Sequence, residues 1–180
     1  HTTCRRQRQM CIRDRFHGAI TFNQKIGSWN TAQVTNIYGM FLSATSFNQY
    51  ISSWNTSAVE DMTLLFFQAS SFNKPVAQWD ISKVTSIFGM FFHASTFDQP
   101  LNILDTSQVT NTQYVFYGAS LFNQRLADWN VSKVTNMYGM FLGATKFNQD
   151  ISGWDTSLVT DMRYLFYQAS SCLLYTSDAA

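Results

Sequence analysis

Groups that could do chemistry are plentiful in this chain of 180 residues, but the partners that would activate them are not. His17 and His93 stand in unrelated surroundings, and neither has Cys, His or carboxylate neighbours at ligand spacing, so no metal site is expected. Ser and Thr are abundant, yet no His recurs beside them to serve as a base, which removes the usual route to nucleophilic catalysis. Asp80, Asp105 and Asp155 recur at multiples of 25 residues and suggest an acidic row. Asn30, Asn55 and Asn130 hold the same place in other copies, and a task that a neutral amide does equally well is turn capping rather than general acid–base work. The sequons Asn55-Thr56-Ser57 and Asn130-Val131-Ser132 begin at that same place, and an Asn engaged in capping is not free to carry a glycan. No enzyme activity and no cofactor are expected.

Composition narrows the field further. Twelve Lys plus Arg against eleven Asp plus Glu give a formal charge of +1, no electrostatic reason to expect nucleic acid. No run of eighteen apolar residues occurs, so no membrane insertion is expected within the chain. With 46% hydrophobic and 16% aromatic residues the chain must bury a core. The two ends differ from the middle: Arg5–Arg15 (RRQRQMCIRDR) and Cys172–Ala180 (CLLYTSDAA) resemble translated sequencing-library adapter, so residues 1–15 and 172–180 are expected to be non-native tails. The tails hold Cys4, Cys11 and Cys172, every cysteine of the chain, and five of its basic residues. Residues 16–171 then carry seven basic and nine acidic groups, and neither a disulfide framework nor a Cys metal site is expected there.

The middle is one repeat. Phe recurs at 22, 47, 72, 97, 122 and 147, which defines six 25-residue copies, with a partial copy over 16–21. Taking that Phe as column 1, column 2 holds Asn23, Asn48, Asn73, Asp98, Asn123 and Asn148. Column 8 holds Trp29, Trp54, Trp79, Leu104, Trp129 and Trp154. Column 13 is always Val, column 20 always Phe and column 23 always Ala. Apolar residues at columns 13, 16, 19, 20 and 23 have the three-and-four spacing of a helical face, as in Val134, Met137, Met140, Phe141 and Ala144, and predict a short helix. Columns 3 to 8 read as a short extended segment. Its paired part is expected to start at column 5, because Pro75 and Pro100 both fall in column 4 and cannot donate to a ladder. The expected fold is therefore α/β: a leucine-rich-repeat-like solenoid of about six coils, each a short strand or extended segment plus a short helix. Column 2 should form an asparagine-type ladder, with the column 8 Trp residues filling the interior. The fourth copy should be the weakest rung, since Asp98, Leu104 and Thr112 all depart from their columns. Columns 17 and 18 vary with a 50-residue period, and Leu64, Tyr114 and Tyr164 are expected to lean across space left by Gly39, Gly89 and Gly139.

The run from Phe147 to Met162, FNQDISGWDTSLVTDM, closing with Leu165-Phe166 and Ala169, resembles the repeat of BspA-like leucine-rich-repeat surface proteins, in the version first catalogued as a mycoplasma domain of unknown function. The resemblance covers about Phe16 to Ser171. It implies a secreted or cell-surface location and a role in adhesion or partner binding, and it implies no catalytic residues. On that expectation the partner is a protein or glycan on another surface. The contacts would come from variable columns beside the extended segment: Tyr50 and Arg125 first, with Lys25, Asp128 and Asp150. The alternatives are a structural spacer or stalk without a ligand, and ice binding through Thr35, Thr85, Thr110, Thr135 and Thr160, a row that Glu60 interrupts.

Overall fold

The structure is a computed structural model that describes residues 16–172. The tail expectations for 1–15 and 173–180 lie outside the described residues. Cys172, assigned to the tail on sequence, is buried in column 1 of the next copy, where its N–H donates to the Ala169 carbonyl as each column 1 Phe does to its own Ala.

The coils are built from turns. Within each of the six copies, the N–H groups of columns 8, 13, 19, 21 and 23 donate to the carbonyl three residues back, and column 1 closes onto column 23 in the same way. Among the described residues there is no helix, and extended pairing is confined to four isolated parallel bridges in column 15, such as Asn36 with Asp61 and Asn111 with Asn136. The expected α/β arrangement of strand plus helix is therefore wrong. Columns 5 to 8 close a turn instead of starting a strand, as in Trp54 N–H to the Ile51 carbonyl at 3.1 Å.

The misreading has a physical cause. Four of these turns, at columns 5–8, 10–13, 16–19 and 20–23, bury their first and last residues and turn most of their middle pair outward. Turns laid end to end thus place an apolar residue every three positions, which imitates a helical stripe. What forbids the helix is backbone hand. Every residue of column 18, including Gly39, Leu64 and Tyr114, and every residue of column 22, including Gln68, His93 and Gly143, has φ between 51° and 69°. These are the third positions of the 16–19 and 20–23 turns, where the type II turn demands a left-handed residue. Six of the eight glycines stand in these two columns.

Between copies the remaining amides find partners. Columns 18, 20 and 22 donate to the carbonyl 24 residues ahead: Gly39 to Thr63 at 2.9 Å, Phe41 to Leu65 at 3.0 Å and Ser43 to Phe67 at 2.7 Å. Alternate amides along this stretch therefore close a turn or bind the neighbouring coil. Inside, the column 20 and column 1 Phe rings stack in pairs, 3.9 Å apart for Phe41 with Phe47 and 4.0 Å for Phe91 with Phe97. The pairs continue from coil to coil, with Phe66–Phe91 centroids 5.6 Å apart and Phe72–Phe97 centroids 5.9 Å apart.

The column 2 ladder forms, and it uses only the acceptor oxygen. Asn48, Asn73, Asp98, Asn123 and Asn148 each donate a backbone N–H to the side-chain oxygen of the preceding Asx at 2.9–3.0 Å. Asp98 fits without loss, since its Oδ1 accepts both Asn123 N–H and Gln124 Nε2. The Trp column adds a second tie: Trp54, Trp79, Trp129 and Trp154 donate Nε1 to the column 5 carbonyl of the preceding coil at 2.9–3.1 Å. Leu104 is buried in that column but has no N–H to give, while Thr112 bonds the Asn136 carbonyl through Oγ1. Of the three departures in the fourth copy, only Leu104 removes a bond. Trp29 is partly exposed and Trp154 half-buried, each on an outer coil.

Asx turns fix the two remaining corners. In column 9 Asn30, Asn55, Asp80, Asp105, Asn130 and Asp155 each accept the N–H two residues on at 2.9–3.2 Å. In column 15 Asn36, Asp61, Asn111, Asn136 and Asp161 do the same. Hydrogen bonds from the side chain and N–H of the following Ser hold the Asp80, Asp105 and Asp155 carboxyls below the usual range, and the Arg163 side chain does so for Asp161.

Three outcomes follow from this frame. Gln68→Gly removes a side chain from the left-handed region and should raise stability by about 1 kcal/mol, whereas Gly143→Ala should lower it by a similar amount, because a Cβ there meets only ordinary contacts and the backbone alone objects. Equal melting temperatures for both variants and the parent would sink the turn assignment. Thr56 is 2% exposed and its Oγ1 has no partner, while Val131 fills the same column. Thr56→Val should therefore stabilise by about 1 kcal/mol in denaturant unfolding, and a loss would contradict it. A carboxyl whose folded pKa is depressed gives stability that is present above the unfolded value of about 4 and fades as pH falls through the folded value. Denaturation midpoints should hold level from pH 7 to about 5 and drop below about 4. The Asp80→Asn/Asp105→Asn/Asp155→Asn variant should show a shallower acid limb, and an unchanged limb would refute the role of these turns.

Candidate functional site

Two adjoining turns generate the most distinctive surface. The outward pairs of 16–19 and 20–23 are columns 17, 18, 21 and 22, and over most copies they carry rings. Phe67, Phe92 and Tyr117 of column 21 stack at 4.3 and 4.4 Å along the coil axis. Tyr114, Tyr138 and Tyr164 follow one another edge to face at 5.2 and 5.5 Å. Within the fourth and sixth copies the same geometry repeats: Tyr114–Tyr117 at 5.8 Å and 84°, Tyr164–Tyr167 at 5.7 Å and 82°. Tyr164 and Tyr167 are more than half exposed.

The 50-residue alternation is explained by room. A Cβ on Gly89 would stand 2.7 Å from Leu64 Cδ2, and one on Gly139 would stand 2.8 Å from Tyr114 Cε1. Leu64 and Tyr114 thus lie over the glycine of the following copy, so a bulky column 18 residue in one coil requires a bare one in the next. His93 covers Gly118 in column 22 in the same manner, edge-on to Phe92 and Tyr117.

The titratable groups on and beside this surface are shifted by burial or paired. Burial, followed by a hydrogen bond with Tyr138, pushes the Tyr114 hydroxyl up and keeps it neutral. Burial pushes His93 down, away from the charged form. Arg163 pairs with Asp161 at 2.8 Å and lies 5.3 Å from the Tyr138 ring centroid. The closest carboxylate–hydroxyl couple, Asp80 with Ser82 Oγ at 2.6 Å, is an exposed turn whose lowered pKa makes Asp80 a poorer base. Among the described residues no three His, Cys, Asp or Glu side chains are placed to share a metal ion, and no helix is long and apolar enough to cross a membrane.

The sequence-chosen contacts lie elsewhere and are not gathered. Tyr50 and Arg125 share column 4 but stand three coils apart, about 14 Å at ~4.8 Å per coil. Pro75 and Pro100 stand between them. Arg125 pairs with Asp128 at 3.1 Å, both exposed. Tyr50, also exposed, receives Lys74 Nζ at 4.6 Å from its ring centroid, and Asp150 caps Ser152 N–H at 2.9 Å. Lys25 stands in the first copy of the same column, four coils from Arg125. The column 14 hydroxyls of Thr110, Thr135 and Thr160 donate to carbonyls of the preceding coil. The aromatic face was missed although its signal was visible: columns 17 and 18 alternate and column 21 is aromatic in four copies, a pattern absorbed into the flank of an expected helix.

Comparison with known proteins gives a family and nothing closer. The family model described as "Mycoplasma protein of unknown function, DUF285" matches twice, over residues 8–104 and 89–175. No curated protein and no solved structure matches the chain. Two matches that together span nearly the whole sequence place it: the chain belongs to the DUF285 family.

Proposed function

We propose that this chain is a non-catalytic binding module of a BspA-like surface protein, exposed at or outside the cell surface, and that it holds a protein or glycan partner through the aromatic face of columns 17, 18 and 21. The observation that carries the reading is the continuous run of half-buried rings outside the core, from Phe67 through Phe92, Tyr117 and Tyr114 to Tyr138, which reaches Tyr164 and Tyr167 on the last described coil. The frame does not need these rings: Thr63, Gln113 and Arg163 hold column 17 in other copies, and Gly holds column 18 in every second one. Contiguous exposed aromatic surface on a rigid scaffold is the usual mark of an interaction site. Tyrosine suits such a site because its ring adds large contact area at low entropic cost and its hydroxyl can bond.

The spacer reading is supported by the regularity of the ladders, which would hold a fixed length with no ligand at all. Ice binding draws less support, because three of the threonine hydroxyls it needs, those of Thr110, Thr135 and Thr160, already donate to carbonyls of the preceding coil.

The test is an array of extracellular-matrix proteins and glycans probed with the 180-residue chain, with Tyr164→Ala/Tyr167→Ala, and with Tyr50→Ala. Saturable binding that falls at least tenfold in the double variant and is kept by Tyr50→Ala is the expected result. Binding lost only with Tyr50→Ala would move the site to column 4, and no saturable binding to any probe would leave the spacer.

A further inference from the structure

The two sequons stand where the fold leaves an amide nitrogen to spare. Asn55 and Asn130 occupy column 9, and both are exposed. Each side-chain oxygen accepts two bonds from the Ser two residues on, its N–H at 3.1 Å and its Oγ at 2.7 Å in both copies. Capping therefore engages Oδ1 alone, and the expectation that it withholds these residues from a glycan does not hold. Asp80, Asp105 and Asp155 close the same turn with a carboxylate, which has no N–H to give, so the frame makes no demand on Nδ2 in this column.

An N-linked glycan needs an Asn followed two residues later by Ser or Thr, on an accessible surface of an exported chain. Asn30 makes the column 9 turn too, through Ala32 N–H at 3.2 Å, but Ala32 offers no hydroxyl. In this column only Asn55 and Asn130 combine an exposed amide, a surplus nitrogen and that hydroxyl. The middle residues of the sequons, Thr56 and Val131, are each 2% exposed, so the closed coil hides part of the acceptor segment. Transfer therefore belongs to the exported chain before its coils close. The product suits the folded state: the nitrogen carries the sugar, and the oxygen remains to cap the turn. Asn30 and Asp80 flank Asn55 in its column, and Asp105 and Asp155 flank Asn130, so neither nitrogen has a bulky neighbour there. The two sites lie three coils apart, about 14 Å at ~4.8 Å per coil.

We propose that Asn55 and Asn130 are acceptor sites for N-linked glycans. In the transfer, Nδ2 attacks the anomeric carbon of a lipid-diphosphate-linked oligosaccharide. The N–C bond forms and the C–O bond to the diphosphate breaks; the diphosphate leaves with the electron pair, and one Nδ2 proton passes to a base of the transferase. The assignment rests on export of the chain and is independent of the aromatic face.

The experiment expresses the 180-residue chain in a mammalian cell line behind an added export signal and recovers it from medium and cells. Glycans are released with peptide N-glycosidase in heavy-oxygen water, which turns each occupied Asn into a labelled Asp that mass spectrometry maps. The expected result is label at Asn55 and Asn130 and none at Asn30, with both labels abolished in Ser57→Ala/Ser132→Ala. The unglycosylated reference is Asn55→Asp/Asn130→Asp, which keeps the turns as Asp80 does. The glycoprotein should melt no lower than this reference, whereas a turn lost to the sugar would lower the melting temperature by about 2–4 °C per site. Absence of label at both residues, or a glycoprotein that melts lower by that margin, overturns the proposal, and label at one residue alone strikes the other site. Because export is supplied, an unlabelled product leaves the aromatic binding face standing, and silence of that face on the array leaves the glycan sites standing.

Discussion

Each coil can satisfy only about half of the amides in its 16–23 stretch by itself. The i to i−3 turns take the N–H groups of columns 19, 21 and 23, and the alternating ones between them reach the coil ahead. A buried amide left without an acceptor is costly, so a copy acquires its full set of bonds only between neighbours. The same dependence runs through the side chains. Column 2 oxygens cap the amide of the next Asx, column 8 indoles reach back one coil, and the Phe pairs stack upward and downward at once. Order in this protein is collective, and the chain gains it by repetition rather than by a long element of secondary structure.

Repetition was legible because 25-residue spacing needs no structural interpretation. The buried columns were legible too: Ile51, Val59, Phe66, Ala69 and Phe72 are buried, as their apolar character required. What could not be read was the path between them. An apolar residue every three positions serves a helical stripe and a train of turns equally, and the sequence distinguishes them only through glycine. Gly39, Gly89 and Gly139 in one column, with Gly18, Gly118 and Gly143 four positions on, marked two left-handed corners. The signal was diluted by Leu64, Gln68, Tyr114 and His93, which occupy the same corners at the expense of strain. The aromatic face was lost along with it, because a helix would have put columns 17 and 21 on a flank while turns put them on one outward surface.

Some of the strained corners lie in the aromatic face. Tyr114 and Tyr164 hold a left-handed backbone that glycine would hold without strain, and His93 does so in column 22. Such strain tends to persist where the surface has a use. The alternation with glycine then reads as a steric rule for column 18: a bulky residue there lies over the backbone of the next coil, so two adjoining coils cannot both carry one.

The Asx stacks give the molecule an unusual tolerance of chemical ageing. Asparagine deamidates over time to aspartate, trading a donor for an oxygen and adding a negative charge. In the column 2 and column 9 motifs the frame asks these side chains only for an oxygen, and Asp98 already stands among Asn73 and Asn123 with both of its bonds made. A deamidation that yields ordinary aspartate therefore keeps the oxygen the ladder uses, as Asp98 does, whereas the isoaspartate product lengthens the backbone and breaks the register. Successive ones in adjoining coils would set like charges about 5 Å apart along the stack, so wear would register first as electrostatic repulsion between coils and not as broken turns.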